Sequence, residues 1–215
     1  NALLKQGLID LGKQTVDVNS ILIEQGQYSY LADTAQYNKT QSDISDKPSL
    51  PWTIQANHIK LTNNQATYGL PNHMPESGLD LNYISANNIN ILIDSLYNRG
   101  SKIDANLKHL SLNERSGLSI IQSNGIFFMD SVQLSLQKFT LKTYTSDIRA
   151  EASMGMSISE MAPSTPLSLL LNAQIGIADI YTLYPSIKKE LKLLPVEKLI
   201  ANADITGTLE KVKIK

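Results

Sequence analysis

The stretch Ala105-Asn-Leu107-Lys-His-Leu110-Ser-Leu112 decides how this chain folds. Ala105 and Leu107 alternate with polar residues, a two-residue polar gap follows, and the alternation resumes at Leu110 and Leu112. Strict alternation is typical of a strand with one buried face, but the gap shifts the phase by one residue and turns the second apolar pair to the other face of a plain strand. A β-bulge inserts one residue and returns both pairs to one face. The stretch therefore predicts a bulged strand.

The same pattern recurs along the chain. The other strict copies are Ile54/Ala56 with Ile59/Leu61, Ile84/Ala86 with Ile89/Ile91, and Leu134/Leu136 with Phe139/Leu141. Two looser copies are Val16/Val18 with Ile21/Ile23, and Gly207/Leu209 with Val212/Ile214. With 42% hydrophobic residues, chance gives about 0.7 strict copies in a chain of this length, against the four present. The excess favours repeated bulges, and the alternative is a set of ordinary half-buried strands with coincidental breaks.

A longer repeat and two turn signals organise the strands. Placing Val18–Tyr30 over Ala56–Tyr68 matches Asn19 with Asn57, Ile21 with Ile59, Gln27 with Gln65, and Tyr30 with Tyr68. This alignment suggests internal duplication of a strand–turn–strand unit, with its turn at Gln25-Gly26-Gln27 and a returning strand at Tyr28–Leu31. Ser123-Asn-Gly125 predicts a tight hairpin into a further strand at Ile126–Met129.

The remaining segments differ in periodicity. Residues 1–14 carry Leu3, Leu4, Leu8, Ile9 and Leu11, which predicts a lead-in segment that is either a short helix or irregular. Residues 33–50 are polar and predict a surface loop. Two stretches, Ile148–Ile158 and Leu167–Ile175, alternate without a break and predict long strands. Helical spacing at 177–194 predicts a short helical insertion in which Pro185 begins the second of two helices, and strands return over 198–214.

Composition excludes several classes of function. The net charge is −1 over 215 residues, so no electrostatic field attracts nucleic acid or anionic lipid. The absence of cysteine excludes disulfides and thiolate chemistry. No apolar run approaches the ~20 residues of a membrane span. The chain begins at Asn1 without a signal peptide, so we interpret it as an excised or mature segment whose anchor, if any, lies elsewhere.

No catalytic constellation is recognisable. His58 and His109 occupy the same gap position in two copies and His73 stands apart, so polar bulge residues are favoured over a metal site. Gly155-Met-Ser157 lacks the second glycine of a nucleophile elbow, and alternation explains Glu151 beside Asp147. Asn38-Lys-Thr40 fits a glycosylation acceptor, a pattern with many false positives. We therefore predict a non-enzymatic protein without a metal or cofactor.

These patterns predict an all-β chain with a single domain over 15–215, preceded by the lead-in at 1–14. The expected architecture is a long, curved antiparallel sheet with repeated bulges, since about a dozen strands exceed what a flat open sheet holds. The end strands of such a meander are unpaired, which predicts edge-to-edge self-association.

Three stretches carry a resemblance to a known family. Trp52–Tyr68, Leu107–Gly117 (with "LSLNERSGL") and Val132–Ser146 (with "QLSLQKFTLKTYTS") resemble TamB-type translocation and assembly module proteins, which belong with the AsmA-like proteins. The resemblance covers roughly residues 15–215. It implies a β-taco, a sheet folded lengthwise around a hydrophobic groove, in a central periplasmic segment of a protein anchored in the inner membrane.

The family's implied role is outer-membrane biogenesis, either by phospholipid transport along the groove or by aiding the assembly of β-barrels. The implied partners are phospholipid acyl chains or nascent β-strands, and an outer-membrane barrel contacted through regions outside this chain. The predicted groove lining is Ile21, Ile23, Ile59, Leu61, Ile89, Ile91, Leu110, Leu112, Phe139 and Leu141, with Val212 and Ile214 at one end. A closed β-sandwich serving adhesion or scaffolding is the first alternative, and a carbohydrate-active β enzyme is the second.

Overall fold

The fold is a single long sheet. The computed structural model describes residues 1–32, 51–155, 163–188 and 196–214. The strands are β1 (Ala2–Asp10), β2 (Thr15–Glu24), β3 (Gln27–Leu31), β4 (Thr53–Gly69), β5 (Tyr83–Arg99), β6 (Lys102–Glu114), β7 (Ser119–Met129), β8 (Gln133–Lys142), β9 (Asp147–Gly155), β10 (Pro166–Gly176), β11 (Lys198–Thr208) and β12 (Val212–Ile214). Among the described residues, one α-helix, α1 (Ile177–Leu183), is followed by a 3₁₀ turn (Pro185–Ile187).

The sheet is open and follows chain order. Its strand order is β1-β2-β4-β5-β6-β7-β8-β9-β10-β11-β12, and β3 pairs with β4 beside the end of β2. Neighbouring strands are antiparallel except for β2 and β3, which both run parallel to β4. The all-β, curved and open architecture expected from the alternation is confirmed, and the closed sandwich kept as an alternative fold is not the architecture of the described strands.

The two-residue polar gaps form bulges, as predicted. Leu107 and Leu110 pair with Gly125 and Ser123, which lie two residues apart on β7. Because residues two apart on a regular strand share a face, Leu107 and Leu110 also share one. By the same argument Leu136 and Phe139 pair with Ala152 and Ala150, and Ala86 and Ile89 pair with Ala66 and Asn64.

The copy of the pattern in β4 also places both apolar pairs on one face, but without a register shift against β5. Ala56 and Ile59 pair with Leu96 and Ile93, so the register of β4 against β5 is unshifted. The extra residue of β4 is matched by one in β5, where Ser95 has a φ of 130°, and β5 then shifts against β6. The looser copy at Gly207/Leu209 is wrong, because its gap is the turn between β11 and β12.

The interruptions align across the strands in two lines. The first bulge line passes through Gln6, Asn19, Asn57–His58, Asp94–Ser95, Lys108–His109, Gly125 and Gln137–Lys138. The second bulge line passes through Gln25–Gly26, Thr62–Asn63, Asn87–Asn88, Leu112 and Ile121–Gln122. Residues with positive φ mark both lines, among them Gln6 at 49°, Asn63 at 54° and Lys138 at 51°. Each bulge bends its strand, so two aligned rows of bulges bend the whole sheet.

The duplication alignment describes a parallel ladder. Val18 pairs with Ala56 and Tyr30 with Tyr68, so the separation of 38 positions in the alignment is also the register of β2 and β3 on β4. The expected return at Tyr28–Leu31 is wrong, since β3 continues in the direction of β2. Asn64 explains the break between them, because its side chain accepts a hydrogen bond from the Gly26 N–H and donates one to the Ile23 carbonyl.

Two further expectations are wrong. Residues 2–10 are neither helical nor irregular but form β1, which pairs along its length with β2. Ser123-Asn-Gly125 is not a hairpin turn, since β7 runs unbroken from Ser119 to Met129. A Cβ atom added at Gly125 would lie only 3.3 Å from the Phe139 Cα, so glycine at this position permits close approach of β8 rather than reversal of the chain.

The helical insertion lies along one rim of the sheet. α1 follows β10, and the 3₁₀ turn begins at Pro185, as predicted for the described part of 177–194. The Leu79 N–H donates to the Leu183 carbonyl at 2.9 Å, which ties α1 to the loop between β4 and β5. The predicted loop at 33–50, the glycosylation pattern at Asn38, the end of the Ile148–Ile158 stretch and residues 189–195 lie outside the described residues.

Candidate functional site: an apolar sheet face

One face of the sheet carries three continuous rows of apolar side chains. Row I comprises Ala2, Ile23, Leu61, Ile91, Leu110, Ser123, Leu141, Ile148, Ala173 and Ala201. Row II comprises Leu4, Ile21, Ile59, Ile93, Leu107, Gly125, Phe139, Ala150, Leu171 and Ala203. Row III comprises Gly7, Val18, Ala56, Leu96, Ala105, Phe127, Leu136, Ala152, Leu169, Ile205 and Ile214. The rows contain no charged side chain, and Ser123 supplies their one hydroxyl.

All twelve residues of the predicted groove lie on this apolar face. Nine belong to the three rows. Ile89, Leu112 and Val212 lie two positions from Ile91, Leu110 and Ile214 on the same strands and so share their face. The ladder register brings the residues together, although they are scattered over nearly 200 positions of sequence. Their role in holding a lipid stays a prediction.

A large part of the apolar face lies outside the groove lining predicted from the sequence. Row members absent from the predicted lining include Ile93, Leu96, Leu107, Phe127, Ile148, Leu169, Leu171 and Ile205. The sequence did predict strands at β9 and β10, because Ile148–Ile158 and Leu167–Ile175 alternate without a break. Their apolar sides continue the bulged rows once β8 pairs with β9.

The apolar face has no second layer of the described chain over it. Of the twelve predicted residues, only Ile89 is buried at 8% relative exposure, whereas Val212 and Ile214 are 51% and 68% exposed. The other nine are half-buried. The chain exposes 15019 Å², against about 9,800 Å² for a compact monomer of its mass. A sandwich buries its inner residues completely, so these exposures identify a single open layer.

The side chains that β7 contributes to rows I and II are small. Ser123 in row I and Gly125 in row II are smaller than the residues at the equivalent positions of β4, β5, β6 and β8, and Ser123 is only 2% exposed. The Gly125 backbone lies against Phe139, the one aromatic side chain in row II. Phe139 therefore occupies the space beside Gly125 that a side chain fills at the equivalent position of the neighbouring strands.

Polar side chains connect the strands along the first bulge line. The Asn19 amide donates to the Gln6 side chain at 3.2 Å, and the Asn57 amide donates to the Asn19 side chain at 3.3 Å. Further along, the Asp94 carboxylate lies 3.5 Å from His58 Nδ1 and 3.9 Å from Lys108 Nζ. These contacts are exposed and individually weak, but they join five neighbouring strands across the bend.

Asparagine side chains form hydrogen bonds with the backbone along the second bulge line. Asn64 is 1% exposed and both ends of its amide are hydrogen-bonded, at 2.8 Å to Gly26 and 3.2 Å to Ile23. Asn90 accepts from the Asn63 N–H and donates to the Asn88 carbonyl. A buried amide with complete partners fixes the backbone, because no shifted register satisfies it.

Two carboxylates anchor the rim loops. Asp80 accepts hydrogen bonds from the Glu76 and Asn82 N–H groups and contacts His73 Nε2 at 2.7 Å. The Glu76 N–H and the His73 ring lower the pKa of Asp80 to about 2. Burial raises the pKa of Asp179, but hydrogen bonds from Ser146 and Thr143 outweigh it and lower that pKa overall. The hydrogen bonds from Ser146 and Thr143 to Asp179 join α1 to the turn between β8 and β9.

A shallow depression of about 530 Å³ lies over β8–β11. Phe139 is the one predicted groove residue in its lining, which also includes Ala150, Leu170, Leu171 and Ala203. Lys138, Arg149, Glu151 and Asp204 contribute charge of both signs. The depression is a local feature of the sheet, far smaller than the apolar rows.

Each of the three histidines contacts a polar side chain in the part of the chain that the structure describes. Within it, no cluster of three or more His, Asp or Glu side chains is placed to hold a metal ion. His58 contacts Asp94, His73 contacts Asp80, and His109 lies 3.3 Å from the Ser111 hydroxyl. His58 and His109 thus belong to the first bulge line, and His73 belongs to a rim loop.

Comparisons with known proteins do not identify a family for this chain. No family model, curated protein or solved structure matches this chain. None of the described helices is long and apolar enough to cross a membrane.

Proposed function

We propose that the apolar face holds the acyl chains of phospholipids, as a non-enzymatic, periplasmic segment of a TamB-like or AsmA-like protein acting in lipid transport or outer-membrane biogenesis. The observation that carries the proposal is the uncharged surface of rows I–III, which crosses the sheet without a covering layer. Monomeric soluble proteins rarely expose contiguous apolar patches larger than several hundred Å². A face of this extent therefore requires an apolar occupant.

The chemistry of the rows favours acyl chains over a protein partner. Protein interfaces are enriched in Trp, Tyr, Phe, Met and Arg, and Trp, Tyr and Arg supply most of their strongest contacts. Rows I–III contain no Trp, Tyr, Met or Arg, and their large side chains are aliphatic except for Phe127 and Phe139. Each buried methylene contributes about 0.8 kcal/mol wherever it lies, so an aliphatic surface binds alkyl chains without fixing their position. That property suits movement along the face better than tight capture.

The dimensions are also suitable. Row I crosses from β2 to β10 in seven steps of strand spacing, or ~34 Å at about 4.8 Å per step. The surface is therefore long enough for an extended acyl chain lying across the strands. The direction across the strands is also that of the two bulge lines, so the bends run parallel to the row.

The test compares two positions on β6 that face opposite ways. A photo-reactive residue at position 110 is expected to crosslink to phospholipid when the protein is illuminated with phosphatidylethanolamine vesicles. The same residue at position 106, which pairs with Ile126 on the polar face, is expected not to. Equal yields from both positions, or no lipid adduct from position 110, would refute the proposal.

A matched pair of substitutions separates binding from folding. Leu110→Asp places a carboxylate where the alkyl chain lies, and an unpaired charge in a dry contact costs several kcal/mol. Because Leu110 is half-exposed without lipid, the free energy of unfolding is expected to fall by only about 1–2 kcal/mol. Asn106→Asp is the control and is expected to leave lipid binding unchanged. A Leu110→Asp protein that does not fold would indicate that the residue is enclosed, and would contradict an open groove.

A further inference from the structure

The two rims of the sheet are connected in different ways. At one rim, α1 and its 3₁₀ turn follow β10, and the loop 70–82 joins β4 to β5. The other rim includes short turns of two to four residues, at 11–14, 100–101, 130–132 and 209–211. Connections that are longer than a turn requires are often functional. Among the described connections, those of the first rim are long enough to reach past neighbouring strands.

The first anchor of α1 is a hydrogen-bonded carboxylate. Asp179 accepts hydrogen bonds from the hydroxyl groups of Thr143 and Ser146 in the turn between β8 and β9. Both hydroxyl residues are buried. They lie two positions beyond members of row I and therefore share the apolar face. α1 is thus anchored on the apolar-face side of its rim.

The second anchor joins the end of α1 to the loop between β4 and β5. The Leu79 N–H donates to the Leu183 carbonyl at 2.9 Å. Gly78 has a φ of 86°, and a Cβ atom added there would lie 2.6 Å from the Leu183 carbonyl oxygen and 2.5 Å from Pro185 Cδ. Glycine at position 78 therefore permits the contact between the loop and the helix.

The turn between β6 and β7 contacts both partners of the second anchor. The Arg115 guanidinium donates to the Glu76 carbonyl at 2.7 Å and to the Gly78 carbonyl at 3.4 Å. A Cβ atom added at Gly117 of the same turn would lie 3.5 Å from the Thr182 methyl group of α1. Helix, loop and turns therefore form one contact network, in which α1 and the loop 70–82 are together called the clasp.

The clasp has little spare length. β5 and β10 are five steps apart in the strand order, or about 24 Å along a flat rim at about 4.8 Å per step. The seven residues of α1 advance about 10 Å, and the chain from Leu79 to Tyr83 spans at most about 14 Å. The two segments together only match the flat distance. An engaged clasp therefore opposes any spreading of this rim.

α1 is weakly stable by itself. Helices shorter than about 12 residues are marginal in isolation. Gly176 supplies no side-chain cap to α1, and the last turn of the helix has no basic residue. Ile177 is the one buried residue among its seven. Elements with few buried contacts open at a low free energy, so the helix depends on its two anchors.

We infer that α1 and the loop 70–82 form a releasable clasp, which holds the ends of β5–β10 together when engaged and lets this rim of the apolar face spread when released. Both anchors are on one short helix, so they are lost together. Release opens the rim beside row I and gives a larger occupant access to the apolar face from the side. The inference rests on the contacts of the rim and not on the identity of the occupant.

Hydrogen exchange of the unaltered protein tests whether the clasp releases as a unit. The Leu79 N–H is bonded to α1, and the Tyr184 N–H is bonded to the Ile180 carbonyl within it. These two amides are expected to have opening constants that agree within about twofold and exceed that of the Asn172 amide in β10 by at least about tenfold. Protection of α1 equal to that of β10, or unequal constants for the two amides, would overturn the inference.

Spin labels measure whether the clasp holds the rim. Because the chain contains no cysteine, labels can be attached at Asn87→Cys on β5 and Gln174→Cys on β10, two exposed positions on the polar face. Gly78→Ala places a methyl group against the Leu183 carbonyl and is expected to lengthen and broaden the distance between the labels by several ångströms. Asp179→Ala removes the first anchor and is expected to do the same.

Gly12→Ala is the matched control for the glycine substitution. It lies in a turn of the opposite rim, where an added Cβ atom would meet only the Asp10 carboxylate at 3.4 Å, and it is expected to leave the label distance unchanged. Unchanged distances in both Gly78→Ala and Asp179→Ala, or equal lengthening in Gly12→Ala, would overturn the inference. Circular dichroism is expected to match the parent in all three variants. The exchange measurement needs no variant, so it decides the inference if a variant does not fold.

Discussion

The half of the sheet formed by β1–β8 and the half formed by β9–β11 carry the same apolar rows on differently shaped strands. In the first half, two bulge lines interrupt the ladders. In the second half, β9, β10 and β11 pair without a register shift. The difference follows from two-residue polar gaps in the first half and unbroken alternation in the second. A sequence can therefore bend a sheet locally and keep its apolar face continuous, provided that each phase break carries one extra residue.

The largest effect is expected where the bend depends on a buried group. Asn64→Ala leaves the Gly26 N–H and the Ile23 carbonyl without their partner. Unpaired buried backbone groups cost about 1–3 kcal/mol each, so the free energy of unfolding is expected to fall by about 2–4 kcal/mol. Chemical denaturation measures the change. Asn172→Ala on the straight strand β10 is the control, with an expected change within about 0.5 kcal/mol, and equal losses from both would contradict a special role for the bulge line.

A smaller effect is expected from changing the strand phase itself. Deleting Lys138 removes the extra residue of β8, so either Leu134 and Leu136 or Phe139 and Leu141 must turn to the polar face. Two half-buried apolar side chains contribute about 2 kcal/mol together, and the free energy of unfolding is expected to fall by that amount.

Two further variants complete this comparison. Lys138→Gly keeps the chain length and suits the φ of 51°, so it is expected to be neutral or slightly stabilising. Inserting one alanine between Leu169 and Leu170 breaks the phase of the straight strand β10 and is expected to cost about as much as the deletion. If the deletion and the glycine variant unfold alike, the extra residue does not set the phase.

The sequence predicted those features that depend on local pattern. Alternation gave the apolar face, and the gaps located the bulges of β5, β6 and β8. The continuation of β2 into β3 was missed because the partner that holds the Gly26 N–H is Asn64, 38 positions away. β1 was missed because its phase change at Gln6 leaves leucines on both faces, which imitates helical spacing. Gly125 resembled a turn residue because its close approach to Phe139 exists only in the folded sheet.

The smallest expected effect is the pH dependence of the rim loop between β4 and β5. Asp80 has a pKa of about 2 because the Glu76 N–H and His73 stabilise its charged form, against a value of about 3.9 in unfolded chains. A lowered folded-state pKa contributes stability above the unfolded value, and this contribution is lost as the pH falls through about 2. The loop between β4 and β5 is therefore expected to loosen between about pH 4 and pH 2, while rows I–III, which have no charged groups, keep their structure. An NMR titration of the Glu76 and Asn82 amide protons measures this, with an expected midpoint of about 2. Asp80→Asn is expected to remove the transition and leave the strands unchanged. A midpoint near 4 would mean that the carboxylate is not held by its neighbours.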